Sequence, residues 1–289
     1  MLDGFTQRRV NVGGIDINLR AGGEGPPLLL LHGYPQTHVA WHQIAPALAE
    51  HFTVVIPDLR GYGDSAKPPG GHRHSAYSKR ALADDQVLVM DTLGFPRFRV
   101  AGHDRGARVV HRLCLDHPER VERASVLDIV PTTTVYEQTD MAMATAYFHW
   151  FFLIQPFDLP ERLIGADPDH WFDRIVQLRP GGEPFDPVAL AEYKRCFRDP
   201  AAIHAMCEDY RAGATIDLEH DALSVGQKIE CPLLVLWGKG GFVGRRYDPL
   251  AVWRRHAVDV QGEALQSGHF LLDESPQETL DVLLPFMLS

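Results

Sequence analysis

The rhythm of apolar and polar positions changes several times along this 289-residue chain. Arg9-Val10-Asn11-Val12 and Ile15-Asp16-Ile17-Asn18-Leu19 alternate on either side of Gly13-Gly14, which predicts a β-hairpin. Pro27-Leu28-Leu29-Leu30-Leu31 is a continuous apolar run, as expected of a strand buried on both faces. A helical pattern over 41–50, a strand over 52–57, a helix over 78–93, a short apolar-rich strand over 98–101 and a helix running to His117 follow. Residues 121–128 read as another strand. From about 131 to 217 the alternation stops, and the segment is rich in aromatics, prolines and helical spacing. The βα rhythm resumes with a strand over 232–238, a helix near 249–256, a strand near 258–265 and a last helix from Pro276.

Strands alternating with helices predict an α/β fold with a mostly parallel, eight-stranded sheet covered on both faces. The interruption then reads as an inserted helical cap, residues 131–217, over the carboxyl ends of the strands, where open sheets of this class place their sites. Residues 1–130 and 218–289 would form the core.

Composition narrows the function classes. A net charge of −10 without a long charge run argues against nucleic acid as a partner. An anionic substrate would need a local basic cluster working against the overall field. Cys114, Cys196, Cys207 and Cys231 lie far apart in sequence and form no CxxC pair, so they read as reduced thiols. With no apolar leader and no run of membrane-spanning length, the expectation is a cytoplasmic protein that does not engage a membrane.

The chemistry concentrates at Gly102-His103-Asp104-Arg105-Gly106, between the strand over 98–101 and the following helix. This is the G-x-nucleophile-x-G elbow of an α/β-hydrolase, with aspartate where esterases carry serine. The glycines relieve crowding at a sharp strand-to-helix turn. A carboxylate presented there can displace a leaving group from an sp³ carbon and form an ester, which water must then hydrolyse.

The fold orders its triad as nucleophile, acid, histidine. His269, in Ser267-Gly268-His269-Phe270 between the last strand and helix, is the candidate base. One usual place for the acid, the turn after Trp237, reads Gly238-Lys239-Gly240-Gly241-Phe242-Val243 and holds no carboxylate. Asp128, at the end of the strand after the elbow helix, is therefore the expected acid that orients His269. The backbone N–H groups of Tyr34 and Arg105 are expected to form an oxyanion hole for the ester's hydrolysis. Arg105 and Arg108 share one helix face beside Asp104. They could quench it as a salt bridge or hold a substrate carboxylate. His72-Arg73-His74 has metal-like spacing but reads as a solvated loop, and Asp58 and Asp64 read as turn or capping residues. No metal and no cofactor is expected.

The chain resembles the fluoroacetate (haloacetate) dehalogenases of the α/β-hydrolase superfamily. The resemblance rests on 28–41 (LLLLHGYPQTHVAW), 101–108 (AGHDRGAR), 126–131 (VLDIVP), 148–155 (FHWFFLIQ), 206–213 (MCEDYRAG) and 267–270 (SGHF). It implies Asp104 as nucleophile, Asp128 as acid, His269 as base, and Arg105 and Arg108 as grips for the carboxylate of a small haloacid. It further implies His149, Trp150 and Tyr210 as hydrogen-bond donors to the departing halide, and a homodimer. The donor assignment has independent chemical sense, because fluoride is a compact, strong acceptor and the three groups help as negative charge develops. An epoxide hydrolase would use the same triad with Tyr147 and Tyr210 protonating an epoxide oxygen, but an epoxide offers no anion to an arginine pair. A haloalkane dehalogenase fits less well, since Arg105 stands where its tryptophan donor is normal. A ligand sensor on a hydrolase fold is the reading from a different class.

Overall fold

The eight strands form one twisted layer in the computed structural model, which describes residues 1–177 and 184–289. β1 (Thr6–Val12) and β2 (Ile15–Gly22) make the hairpin around Gly13-Gly14. β2 then pairs antiparallel with β4 (Thr53–Pro57). β3 (Pro27–Leu31), β5 (Phe98–His103), β6 (Val121–Leu127), β7 (Leu233–Gly238) and β8 (Val260–Leu265) complete the sheet in parallel. The order is β1-β2-β4-β3-β5-β6-β7-β8.

The pleat explains why β3 carries no polar alternation. Leu29 and Leu31 join the core on one face with Val55, Val100 and Val109. Leu28 and Leu30 join the core on the other face with Trp41, Ile56 and Leu283. Both faces are covered by helices, so each side chain of the strand has an apolar destination.

The helix expected over 41–50 is split into a 3-10 turn, His38–Trp41, and a short helix, Ala45–Ala49. Pro46 accounts for the restart, because it lacks an N–H and fits only the first helical turn, where that donor has no partner. Helix Lys79–Thr92 starts where Ser78 accepts a hydrogen bond from the Ala81 N–H.

Between β6 and β7 the described residues form a helical insert, from helix Thr132–Glu137 to helix Ile216–Leu223. Aspartate-proline pairs punctuate it. Asp167, Asp186 and Asp199 each cap a helix whose first turn carries proline, so the local sequence both starts these helices and separates them. Residues 178–183 of the expected cap lie outside the described residues. No described helix is long and apolar enough to cross a membrane.

Candidate active site

Four strand ends converge on Asp104, which follows β5 in a strained conformation (φ 46°, ψ −115°) and opens helix Arg105–Asp116. Only glycine fits on either side of it. A Cβ on Gly102 would lie 2.6 Å from the Gly106 carbonyl carbon, and one on Gly106 would lie 2.4 Å from the His32 carbonyl oxygen. The elbow therefore presses the helix start against β3 and turns the carboxylate away from the sheet.

The loop after β3 meets this carboxylate. The Tyr34 N–H donates to Asp104 Oδ1 at 3.0 Å. From the Arg105 N–H no hydrogen bond to Asp104 is present among the described residues, so in this state one of the two expected oxyanion donors is engaged.

His269 Nδ1 lies 2.6 Å from Asp128 Oδ2, and His269 Nε2 lies 4.0 Å from Asp104 Oδ2. Asp128 follows β6 with φ 53° and also accepts the Gly238 N–H at 3.0 Å. These bonds leave Nε2 as the nitrogen facing the nucleophile, across a gap that one water can bridge. Burial disfavours the imidazolium, but the Asp128 and Asp104 carboxylates outweigh it and hold His269 above the ordinary imidazole value. Burial likewise opposes ionisation of Asp104. His269, His103, Arg108 and Arg105 outweigh it, so the carboxyl is held below the ordinary aspartate value.

The glycine-rich turn after Trp237 has a packing role that the sequence did not disclose. A Cβ on Gly238 would fall 1.7 Å from the Gly268 carbonyl oxygen, and Gly240 and Gly241 also pass close to the 267–268 backbone. The turn thus lets the end of β7 touch the His269 loop while Gly238 holds Asp128. His103 completes the scaffold, with Nε2 2.8 Å from the His269 carbonyl oxygen. Its place beside the nucleophile in the elbow was the one available signal for this role.

Neither arginine forms an ion pair with Asp104 among the described residues, so the quenching alternative is not realised. Arg105 is 1% exposed and is held from behind by a residue that sequence reasoning missed, Asp209. Its Nε and Nη2 donate to Asp209 Oδ2 and Oδ1 at 2.8 and 2.9 Å. Lys79 and the Tyr62 hydroxyl reach the same carboxylate. Burial works against the Arg105 charge, but Asp209 more than restores it. Arg108 Nη1 donates to the Val130 carbonyl and to Thr132 Oγ1, both at 3.0 Å.

Over the arginines lie the aromatic groups of the insert. The Arg105 guanidinium sits 4.2 Å from the Tyr210 ring centroid, and the Arg108 guanidinium 4.6 Å from that of Trp150. His149 stacks on Tyr34, and its ring meets Tyr210 edge-on. Burial pushes His149 down to about 3, so it is a neutral imidazole. Among the described residues the Trp150 indole, the His149 ring and the Tyr210 hydroxyl make no hydrogen bond to protein. Arg105, Arg108, His149, Trp150 and Tyr210 thus form one connected cluster of cationic and aromatic groups on the insert side of the elbow. Phe152 packs on Trp171 and Phe151 on Tyr136.

Two loop readings change. Asp58 is fully buried and accepts from the His38 backbone and ring, Asn18 and Asp64, so it is a hub for the loop after β3 as well as a turn residue. His74 is not simply solvated: its Nδ1 lies 2.7 Å from Glu208 of the insert.

Residues 26–276 match the α/β hydrolase fold family. The chain is 47% identical to a fluoroacetate dehalogenase from Burkholderia sp over 99% of its length and 95% of the relative's. It is 34% identical to a soluble epoxide hydrolase from Corynebacterium sp. (strain C12), over 98% of this chain and 97% of that one. A crystal structure from Nostoc sp PCC 7120, assigned to the α/β hydrolases, superposes with a TM-score of 0.97 at 57% identity, covering 99% of both chains. The structure of an epoxide hydrolase, CorEH, superposes with a TM-score of 0.89 at 31% identity, over 98% of this chain and 99% of that one. With its elbow, its sheet order and its helical insert, this chain belongs to the α/β-hydrolase family.

Proposed function

We propose that the chain is a haloacetate dehalogenase, hydrolysing short 2-haloacids such as fluoroacetate to the 2-hydroxyacid and halide. The observation that carries this reading is the pair of buried guanidinium groups beside a strained carboxylate with which neither forms an ion pair. Arg105 Nη1 and Arg108 Nη2 have no protein acceptor among the described residues, and a substrate carboxylate supplies one. An epoxide has no group for them, although Tyr147 and Tyr210 could serve that chemistry.

In the first step Asp104 attacks the α-carbon. A C–O bond forms, the carbon–halogen bond breaks, and the halide leaves with the bonding pair. His149, Trp150 and Tyr210 donate to it as its charge develops, which is when such donors lower a barrier. All three are neutral, so the halide meets no competing negative group from them. The arginines hold the carboxylate and fix the approach to the α-carbon.

In the second step His269 Nε2 takes a proton from water, which attacks the carbonyl carbon of the Asp104 ester. Asp128 holds the imidazolium, and the Tyr34 N–H stabilises the oxyanion. Collapse expels the hydroxyacid oxygen, which takes a proton from His269. Water and haloacid become hydroxyacid, halide and one released proton. Residues 131–217 act in this reading as the cap that excludes bulk water.

The intermediate tests the proposal. His269→Gln incubated with fluoroacetate should gain the mass of one carboxymethyl group, located on the peptide containing Asp104. An unmodified protein, or a label elsewhere, would count against the mechanism.

A further inference from the structure

Tyr34 meets the nucleophile with its backbone and the insert with its side chain. Its N–H donates to Asp104 Oδ1 at 3.0 Å, and its hydroxyl accepts from the Trp171 indole Nε1 at 2.8 Å. Among the described residues that indole is the hydroxyl's only hydrogen-bond partner. The residue between these two bonds is 3% exposed. Its ring stacks on His149 and meets Tyr210 and Phe197 edge-on, with centroids 5.3 and 6.3 Å away. Burial keeps the phenol protonated, well above its ordinary value, so the bond to Trp171 joins neutral groups.

Trp171 is itself firmly placed. Asp167 accepts from the His170 N–H and starts helix Pro168–Ile175. Phe172, fully buried, ties that helix to Tyr193 and Phe197 of helix Pro187–Phe197. The neighbouring Trp171 packs on Phe148 and Phe152, which flank His149 and Trp150 in the sequence. A tyrosine side chain has two torsions, so fixing its hydroxyl at one end restricts the backbone N–H at the other.

We propose that Trp171 is a positioning residue for the hydrolytic step of the proposed dehalogenation, on which this inference rests: through the Tyr34 hydroxyl it holds the Tyr34 N–H on the carbonyl oxygen of the Asp104 ester. Asp104 Oδ2 faces His269 Nε2 at 4.0 Å and accepts no hydrogen bond among the described residues. It is therefore the more nucleophilic oxygen, and Oδ1 becomes the carbonyl oxygen. Charge on Oδ1 decides which step feels the N–H. The resting carboxylate shares its charge between both oxygens, ester formation removes it, and attack by water puts a full charge on Oδ1. A donor fixed there stabilises the second transition state and gives displacement nothing. Loosening Tyr34 should slow hydrolysis and leave halide release no slower.

Two substitutions delete the same bond from opposite ends. Trp171→Phe removes the indole N–H together with one ring, and Tyr34→Phe removes only a hydroxyl. In quenched-flow runs of the full chain with chloroacetate, each should slow breakdown of the carboxymethyl ester about three- to tenfold, the range of one neutral hydrogen bond. Halide release in the first turnover should be no slower, and the double variant should match the single ones. Selective 15N-tyrosine labelling reads the contact without substrate. Hydrogen exchange at the Tyr34 amide should quicken about tenfold in Trp171→Phe, with the tyrosine amides remote from the site unchanged. An unmoved Tyr34 amide, equal slowing of both steps, or losses that add in the double variant would overturn the proposal. A wild-type chain that forms no ester would refute the haloacid reading, and the Tyr34 amide would still decide whether Trp171 holds that N–H.

Discussion

Arg105 and Asp209 form a two-pronged ion pair that is entirely buried, with nitrogen–oxygen distances of 2.8 and 2.9 Å. The pairing sets the guanidinium plane before any ligand arrives and leaves Nη1 for a substrate. Asp209→Asn would strand the buried Arg105 guanidinium and leave Lys79 with Asp217 alone, 3.5 Å away. Breaking such a pair costs about 3–5 kcal/mol, so urea denaturation should show a loss of that order. Haloacid KM should rise by a larger factor than kcat falls, because the grip on the carboxylate is what loosens. An unchanged KM would show that Arg105 needs no support from Asp209.

Protonation should separate the two chemical steps. Asp104 is held below its ordinary value, so displacement persists into acid. His269, held above the ordinary imidazole value in the resting enzyme, must be neutral to accept a proton from water. Ester formation removes the Asp104 charge and lowers His269 again. We therefore expect kcat to fall on the acid side with a single limb while kcat/KM stays flat through it. The carboxymethylated enzyme should accumulate there in quenched-flow mass spectra. Parallel loss of both constants would place His269 in the first step instead.

The three insert donors predict a halogen-selective defect. Trp150→Phe keeps an aromatic face against Arg108 and removes the N–H together with one ring of the indole. A hydrogen bond to a charged group is worth about 1.5–3 kcal/mol. Fluoride release should fall roughly ten- to a hundredfold at 1.36 kcal/mol per decade. Chloride release should fall less, since chloride leaves with weaker help. Equal losses would mean that Trp150 acts through packing alone.

Gly238 carries a structural prediction. A Cβ there would stand 1.7 Å from the Gly268 carbonyl oxygen, so Gly238→Ala must push β7 and the His269 loop apart. A loss of about 1–3 kcal/mol, typical of overpacking, should appear in thermal unfolding. kcat should drop at least tenfold, roughly the loss expected when a catalytic group is displaced by a fraction of an ångström. Gly240→Ala, whose nearest contact would be 3.2 Å, should do far less.

The sequence disclosed what local chemistry imposes and concealed what only folding brings together. The elbow was legible because a strand-to-helix turn demands glycines on both sides of its nucleophile. The Leu28–Leu31 run was legible because a doubly covered strand has no polar face. Asp209 was not, since nothing in Glu208-Asp209-Tyr210 says that Arg105, more than a hundred residues earlier, will lie against it. The turn after Trp237 was read only for the carboxylate it lacks, while its glycines serve close backbone approach to a segment some thirty residues later. Asp58 looked like a turn residue because its turn is local and its bonds to Asn18 and His38 are not. Ala45–Ala49 came out short because an apolar spacing that suits a helix does not register the donor that Pro46 removes.

Fluoride and chloride release, measured side by side on fluoroacetate and chloroacetate with Asp104→Asn as the blank, decides whether this chain is a haloacetate dehalogenase. Both ions should be released by the wild-type chain and neither by the variant, and a simple epoxide should be left unopened. Epoxide opening without release of either halide would contradict this reading and assign Asp104 to the other chemistry this site can support.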